Sequence, residues 1–160
     1  FDSKAGQVYM DMTKALLETG NSADATVWKI PVAEGVTAED VEDAMRSVAN
    51  AHNFKNVGEL PLSDQVAAMT GEAQRTWKIY MFCDPLTAAK MISYADSYSA
   101  YLPCRISMVE DKTGKLWLYT LNLDMMIHGG TELPPDLMEE ALRVKEIILD
   151  IMNRGAEGDF

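Results

Sequence analysis

The chain has 160 residues, enough for one domain with a single core, and 48% of them are hydrophobic, which excludes disorder as a global description. Its formal net charge of -11 opposes binding to DNA, RNA or anionic membranes and favours solubility. No apolar run reaches the roughly 18 to 20 residues needed to span a bilayer, so no membrane insertion is expected.

The numbering begins at Phe1 rather than at an initiator Met. Either a leader has been removed, which implies a periplasmic or exported protein, or the numbering starts inside a longer chain, which leaves the cytoplasm open. The two cysteines, Cys83 and Cys104, are too few for a disulfide scaffold. They can form one bridge, serve as two ligands or stay as buried thiols. The 11 methionines fill irregular core space or, more sharply, supply thioethers to a soft metal such as Cu(I).

Along the chain, Val8, Met12 and Ala15 fall at helical spacing between Ser3 and Glu18, with Gly20 and Asn21 as a stop. Residues 1–24 therefore read as a helical arm on a single domain spanning 25–160. Ala25–Val32 reads as a strand. Thr37 is placed to cap a helix whose first turn holds Glu39 and Asp40 and whose apolar stripe runs through Val41, Met45, Val48 and His52. His52, at the end of that stripe, is expected to interact with the helix's free carbonyls rather than with a ligand.

Phe54, Gly58, Leu60 and Leu62 suggest a second strand, and Ser63 is expected to cap a short helix ending at Gly71. On the third strand Trp77, Ile79, Met81 and Cys83 share one face, and Lys78, Tyr80 and Phe82 share the other. Asp84-Pro85 ends it and opens a helix in which Met91, Tyr94, Tyr98 and Tyr101 form a stripe, either core or dimer surface, with ligand stacking as the rarer use. Cys104, Ile106 and Met108 alternate on a fourth strand. A turn over Glu110–Gly114 leads to a fifth, where Leu116, Leu118 and Thr120 alternate with Trp117, Tyr119 and Leu121. Residues 122–132 are expected as a loop. A last helix opens at Pro134-Pro135, carries Leu137, Ala141, Val144, Ile148 and Ile151, and closes at Arg154-Gly155. The economical fold is α+β: an antiparallel sheet of about five strands with helices packed on one face, in the order β-α-β4-α with inserted helices.

The segment Phe82-Cys83-Asp84-Pro85 resembles the Phe-Gly-Asn-Pro turn of the domain-of-unknown-function 302 family. Leu102-Pro103-Cys104-Arg105-Ile106, Val109-Glu110-Asp111, Gly114-Lys115-Leu116-Trp117 and Tyr119 resemble that family's Leu-Pro hairpin. The resemblance covers roughly Ala25 to Ile151. It implies an α+β fold similar to the TATA-binding protein, often as a homodimer, and carries no established reaction with it. The chain departs from the pattern at Cys83, where a glycine is expected, and in its additional N-terminal arm.

Topology suggests one candidate site. Cys83 ends the third strand and Cys104 begins the fourth, so antiparallel pairing puts both at one end of the sheet. The fifth strand returns to that end and leads to Met125, Met126 and His128. Two thiols, two thioethers and an imidazole suit Cu(I), or Zn(II) with both thiols and the histidine, while a Met or His can ligate haem axially. The bland alternative is a set of structural residues, with the cysteines as a disulfide or as buried thiols. Ser-His-Asp chemistry has only His52 and His128 to draw on, and the sequence has no Gly-rich phosphate loop.

The expectation is thus a non-enzymatic protein that binds a small ligand or a soft metal, copper or haem, through Cys83, Cys104, Met125, Met126 and His128. Such a site leaves room for a redox partner. One alternative is a thiol-dependent protein acting on small sulfur compounds, and another is a structural homodimer module lined by Tyr94, Tyr98 and Tyr101. Nucleic acid is not an expected partner.

Overall fold

The computed structural model describes residues 1–159. Among them the chain forms α1 (Ala5–Thr19), α2 (Ser22–Thr26), β1 (Val27–Pro31), α3 (Ala38–Ala51), β2 (Lys55–Leu60), α4 (Leu62–Thr70) and β3 (Trp77–Cys83). These are followed by α5 (Pro85–Tyr94), a 3-10 helix (Asp96–Tyr101), β4 (Cys104–Glu110), β5 (Leu116–Leu121), α6 (Leu123–His128) and α7 (Pro135–Glu157). The fold is α+β around one antiparallel sheet in the order β1-β5-β4-β3-β2. Two compact units divide the chain, one of Phe1–Trp28 and Leu121–Lys145, the other of Lys29–Thr120 and the chain from Glu146 onward.

In the second unit the sheet's inner face holds Tyr80, Phe82, Ile106, Met108 and Leu118, each at most 1% exposed. Alternation puts these side chains on one side of the pleat, and α3 and the C-terminal part of α7 supply the apolar stripes that meet them. A capping box starts α3: Thr37 Oγ1 accepts the Asp40 N–H at 3.1 Å, and Asp40 accepts the Thr37 N–H at 3.0 Å. Val41, Ala44, Met45, Val48 and Ala49 then form its buried face. On the part of α7 that belongs to this unit, Ile147, Ile148, Ile151, Met152 and Ala156 are buried, and the helix runs past the expected stop at Gly155. Gly155 is packed rather than terminal: a Cβ there would lie 2.5 Å from Met45 Cγ. Each fully buried side chain of this size contributes about 1.5–3 kcal/mol, which makes the inner face the main stabilising layer.

Several local expectations change. His52 caps α3 as expected, but its side chain bonds to Asp150 at 2.7 Å rather than to free carbonyls. Ser63 is not the cap of α4; Pro61 occupies that position, and Ser63 Oγ accepts the Trp77 N–H at 3.0 Å. The tyrosine stripe is divided, because Ala95 is extended and Tyr98 and Tyr101 lie in the 3-10 helix. Asp96 and Ser97 favour such a restart over continued helix.

In the first unit α6 replaces part of an expected loop, and α2 takes in Ala25 and Thr26, the expected start of the first strand. Asn21 accepts the Ala23 and Asp24 N–H groups, and Asn122 accepts that of Asp124, so each asparagine opens a short helix. The Asp2 N–H bonds to Gly130 O at 2.8 Å, and Tyr9 donates to Gly129 O at 2.6 Å. Lys145 bonds to Asp124 at 2.5 Å and lies over the Trp28 ring, 5.5 Å from its centroid.

Candidate functional site

Five residues carry the chemistry anticipated from the sequence, and they fall into two groups. Cys83 and Cys104 belong to the second unit, at the same end of the sheet; Met125, Met126 and His128 belong to the first, on α6. Both cysteines are free thiols. Cys104 pairs with Phe82 across β3 and β4, so these two share the inner face and Cys83, one residue on, faces the other way. Desolvation, followed by the nearby Cys83, pushes the Cys104 thiol up to about 12; desolvation, followed by Asp84, also raises Cys83. Both are therefore thiols rather than thiolates near neutral pH, which suits packing better than nucleophilic attack.

His128 is 8% exposed, and its Nδ1 lies 2.8 Å from Oδ2 of Asp2, itself 6% exposed. The bond to His128, with that from the Lys4 N–H second, holds the Asp2 carboxyl below its ordinary range. This contact fixes the orientation of the imidazole and directs Nε2 away from the carboxylate. Met125 and Met126 sit on the same turn of helix and are half-buried. Among the described residues, no three or more His, Cys, Asp and Glu side chains are grouped to hold a metal ion.

A larger feature lies on the outer face of the sheet, where the strand register aligns side chains in rows. Trp77, Val109 and Trp117 form the first row, and Leu60, Ile79, Ser107 and Tyr119 the second. Gly58, Met81 and Arg105 form the third; Lys55 and Cys83 close the face at the far corner. Every one of these positions is partly or fully exposed, in contrast to the inner face. Lys29 and Lys115 lie over the Trp117 ring, 5.1 and 4.8 Å from its centroid, and its indole N–H donates to Asp111 at 3.0 Å. Beside the first row, Ser63, Val66, Arg75, Trp77 and Val109 line a cleft of about 360 Å³.

The charge on this face departs from the rest of the chain. Lys29, Lys55, Lys115 and Arg105 are basic, and none of the row positions is acidic, although the chain has 25 acidic and 14 basic residues. The nearest acid in the hairpin, Asp111, is held well below the usual carboxylate range by bonds from Thr113 and Trp117. The inner side at β2 and β3 carries the opposite arrangement, a closed ion-pair network. Arg46 makes a two-point bond to Glu59 at 2.8 and 2.6 Å; Lys78 reaches Glu42 at 3.0 Å and Glu59 at 3.1 Å; and Tyr80 donates to Glu42 at 2.8 Å.

Alternation along the third strand puts Trp77, Ile79 and Met81 on one face, but nothing local in the sequence marks that face as a site. The signal is present in Lys29, Lys55, Arg105 and Lys115, but only the strand pairing shows that they gather around one surface whose rows carry no acidic residue.

No curated protein matches the chain. The fold is similar to a crystal structure of the uncharacterized conserved protein DUF302 from Bacillus stearothermophilus, at 14% identity and a TM-score of 0.64, covering 81% of this chain and 97% of that one. The sequence pattern of the family described as Domain of unknown function DUF302 matches residues 28–155, and with most of its length inside that match the chain belongs to this family.

Proposed function

We propose that the chain is a non-catalytic binding domain that engages another macromolecule through the outer face of its sheet. One observation carries this reading: a part-exposed surface of Trp77, Ile79, Met81, Val109 and Tyr119, with no acidic residue at any row position and Asp111 at its margin, in a protein of net charge -11. Contiguous apolar surface rimmed by polar groups is the usual mark of a docking site, and Trp, Tyr, Met and Arg are the residues such sites favour. The raised thiol pKa values weigh against thiol-dependent chemistry as the main activity. Lysine footprinting tests the reading. In extract from the source cells, Lys29, Lys55 and Lys115 should become less reactive to an acylating reagent while Lys4 and Lys14 do not. Met81→Asp should abolish that protection. Equal reactivity of all five lysines in extract and in buffer would reject an occupied outer face.

A second reading rests on the Asp2–His128 pair. A carboxylate that orients a buried imidazole is the support metal-ligating histidines commonly have, and Met125 and Met126 lie on the same short helix. Soft-metal binding, with Cu(I) as the probe, predicts one equivalent retained against a competing chelator and lost on His128→Ala. Retention unaffected by His128→Ala would remove α6 as the site.

A further inference from the structure

We infer that the outer sheet face takes an acidic, partly apolar segment of a different polypeptide. This rests on the docking reading above and adds the chemistry of the occupant. The apolar rows lie between basic groups: Lys29 and Lys115 beside Trp117, Arg105 in the third row and Lys55 at the far corner. Carboxylates spaced along a partner strand can meet these groups while its alternate apolar side chains rest on Ile79, Met81 and Val109, because both chains repeat every second residue. The cleft beside Trp77 and Val109 accommodates one larger apolar side chain.

Two other occupants fit less well. A second copy docked face to face across a two-fold axis would set Lys29, Lys55, Lys115 and Arg105 of each copy against the same basic surface of the other, which costs affinity. Single-stranded nucleic acid needs free aromatic faces for base stacking, whereas the Trp117 ring lies under Lys29 and Lys115 and its N–H is bonded to Asp111. The net charge of -11 also repels a long polyanion more than a short peptide with few charges.

The experiment uses the full chain, a short fluorescein-labelled peptide alternating Glu with Leu, its Lys-Leu counterpart and a labelled oligothymidylate carrying as many negative charges as the Glu-Leu peptide. Anisotropy should show salt-sensitive binding of the Glu-Leu peptide only. Arg105→Glu and Lys29→Glu should each weaken it about tenfold or more, while Lys14→Glu, an equal charge change on the exposed side of α1, should not. Equal weakening by Lys14→Glu, or tighter binding of the oligothymidylate, would overturn the proposal. If the Glu-Leu peptide does not bind but the wild type self-associates in sedimentation and Met81→Arg abolishes this, the occupant is a second copy; the docking reading then stands and the acidic segment does not. If peptide binding, self-association and lysine protection are all missing, both fall.

Discussion

Phe82 and Cys104 are directly paired across the β3–β4 ladder, and this one register relationship separates the two thiols. Cys104 lies beside Phe82 in the buried layer, whereas Cys83 is carried to the opposite face. The protein should therefore contain two titratable thiols and no internal disulfide when isolated without oxidant. A thiol reagent should label Cys83 in the folded protein and Cys104 at least about tenfold more slowly, since Cys104 is both shielded and held protonated.

The same burial gives a pH dependence on the alkaline side. Cys104 has a folded pKa of about 12, above the ordinary thiol value of about 8.5 expected in the unfolded chain. As pH rises past the unfolded value, the unfolded state loses its proton first, so the folded state binds more protons and stability falls. The loss continues until the folded thiol titrates. Tyr80, raised by burial and by its bond to Glu42, adds to the loss at higher pH. Cys104→Ala should flatten the stability curve between about pH 8.5 and 12, measured by urea unfolding at each pH.

The ion-pair network under the sheet has the opposite sign. Glu59 is held down to about 2, first by the bond from Arg46, with further bonds from Asn56 and Lys78. Its contribution is present above the ordinary glutamate value of about 4.3 and is lost as pH falls through about 2. Glu59 is 19% exposed and Arg46 43%, so solvent screens part of the pair. Glu59→Gln should cost about 1–2 kcal/mol at neutral pH and reduce the difference between about pH 5 and pH 2 by the share Glu59 contributes, leaving that of Asp111 and Asp2. Thermal unfolding should show a drop of about 2–4 °C per kcal/mol for a chain of this size.

The sheet and its flanking helices are readable from sequence because their signals are local and periodic. Thr37 with Asp40, Asp84-Pro85 and the alternation in Trp77–Cys83 each specify an element without reference to the rest of the chain. Short helices are harder: α2 and α6 depend on Asn21 and Asn122 as caps, and a single capping asparagine before five or six residues reads equally well as a turn. The site is least legible. The placement of Cys83 and Cys104 at one end of the sheet follows from topology, but their opposite facing follows from register, which a one-residue slip would reverse. The outer face depends on several strands at once. Its basic residues, Lys29, Lys55, Arg105 and Lys115, are far apart in sequence and are brought together only by pairing.

Gly155 offers a packing test. It lies within α7, where alanine is ordinarily favoured by about 1 kcal/mol. Here an added Cβ would approach Met45 Cγ to 2.5 Å, and Met45 is 0% exposed, so the side chain has no open space to move into. Overpacking should outweigh the propensity gain, and Gly155→Ala should destabilise by about 1–3 kcal/mol. A methyl group added at Gly6, in α1, would meet nothing within 4 Å, so Gly6→Ala should instead be neutral or stabilising by about 0.5 kcal/mol. Denaturant midpoints at constant slope would show the two alanines moving in opposite directions.

The Asp2–His128 pair holds the N-terminal segment in place. Asp2 is tied twice to the residues around the end of α6, through its carboxylate to His128 and through its N–H to Gly130 O. His128→Ala removes the first tie and leaves a buried carboxylate without its main partner, which costs more than the bond itself contributed. The amide of Asp2 and the first turn of α1 should then exchange with solvent faster by about tenfold or more, while the amides of β3 and β4 keep their protection. Asp2→Asn retains an acceptor and should have a smaller effect. Because the folded Asp2 carboxyl is depressed, the tie is at full strength above the ordinary aspartate range and weakens as pH falls below it. Hydrogen exchange read by mass spectrometry at neutral and acidic pH would resolve all three, and unchanged protection of residues 2–8 in His128→Ala would show that the pair does not hold the segment.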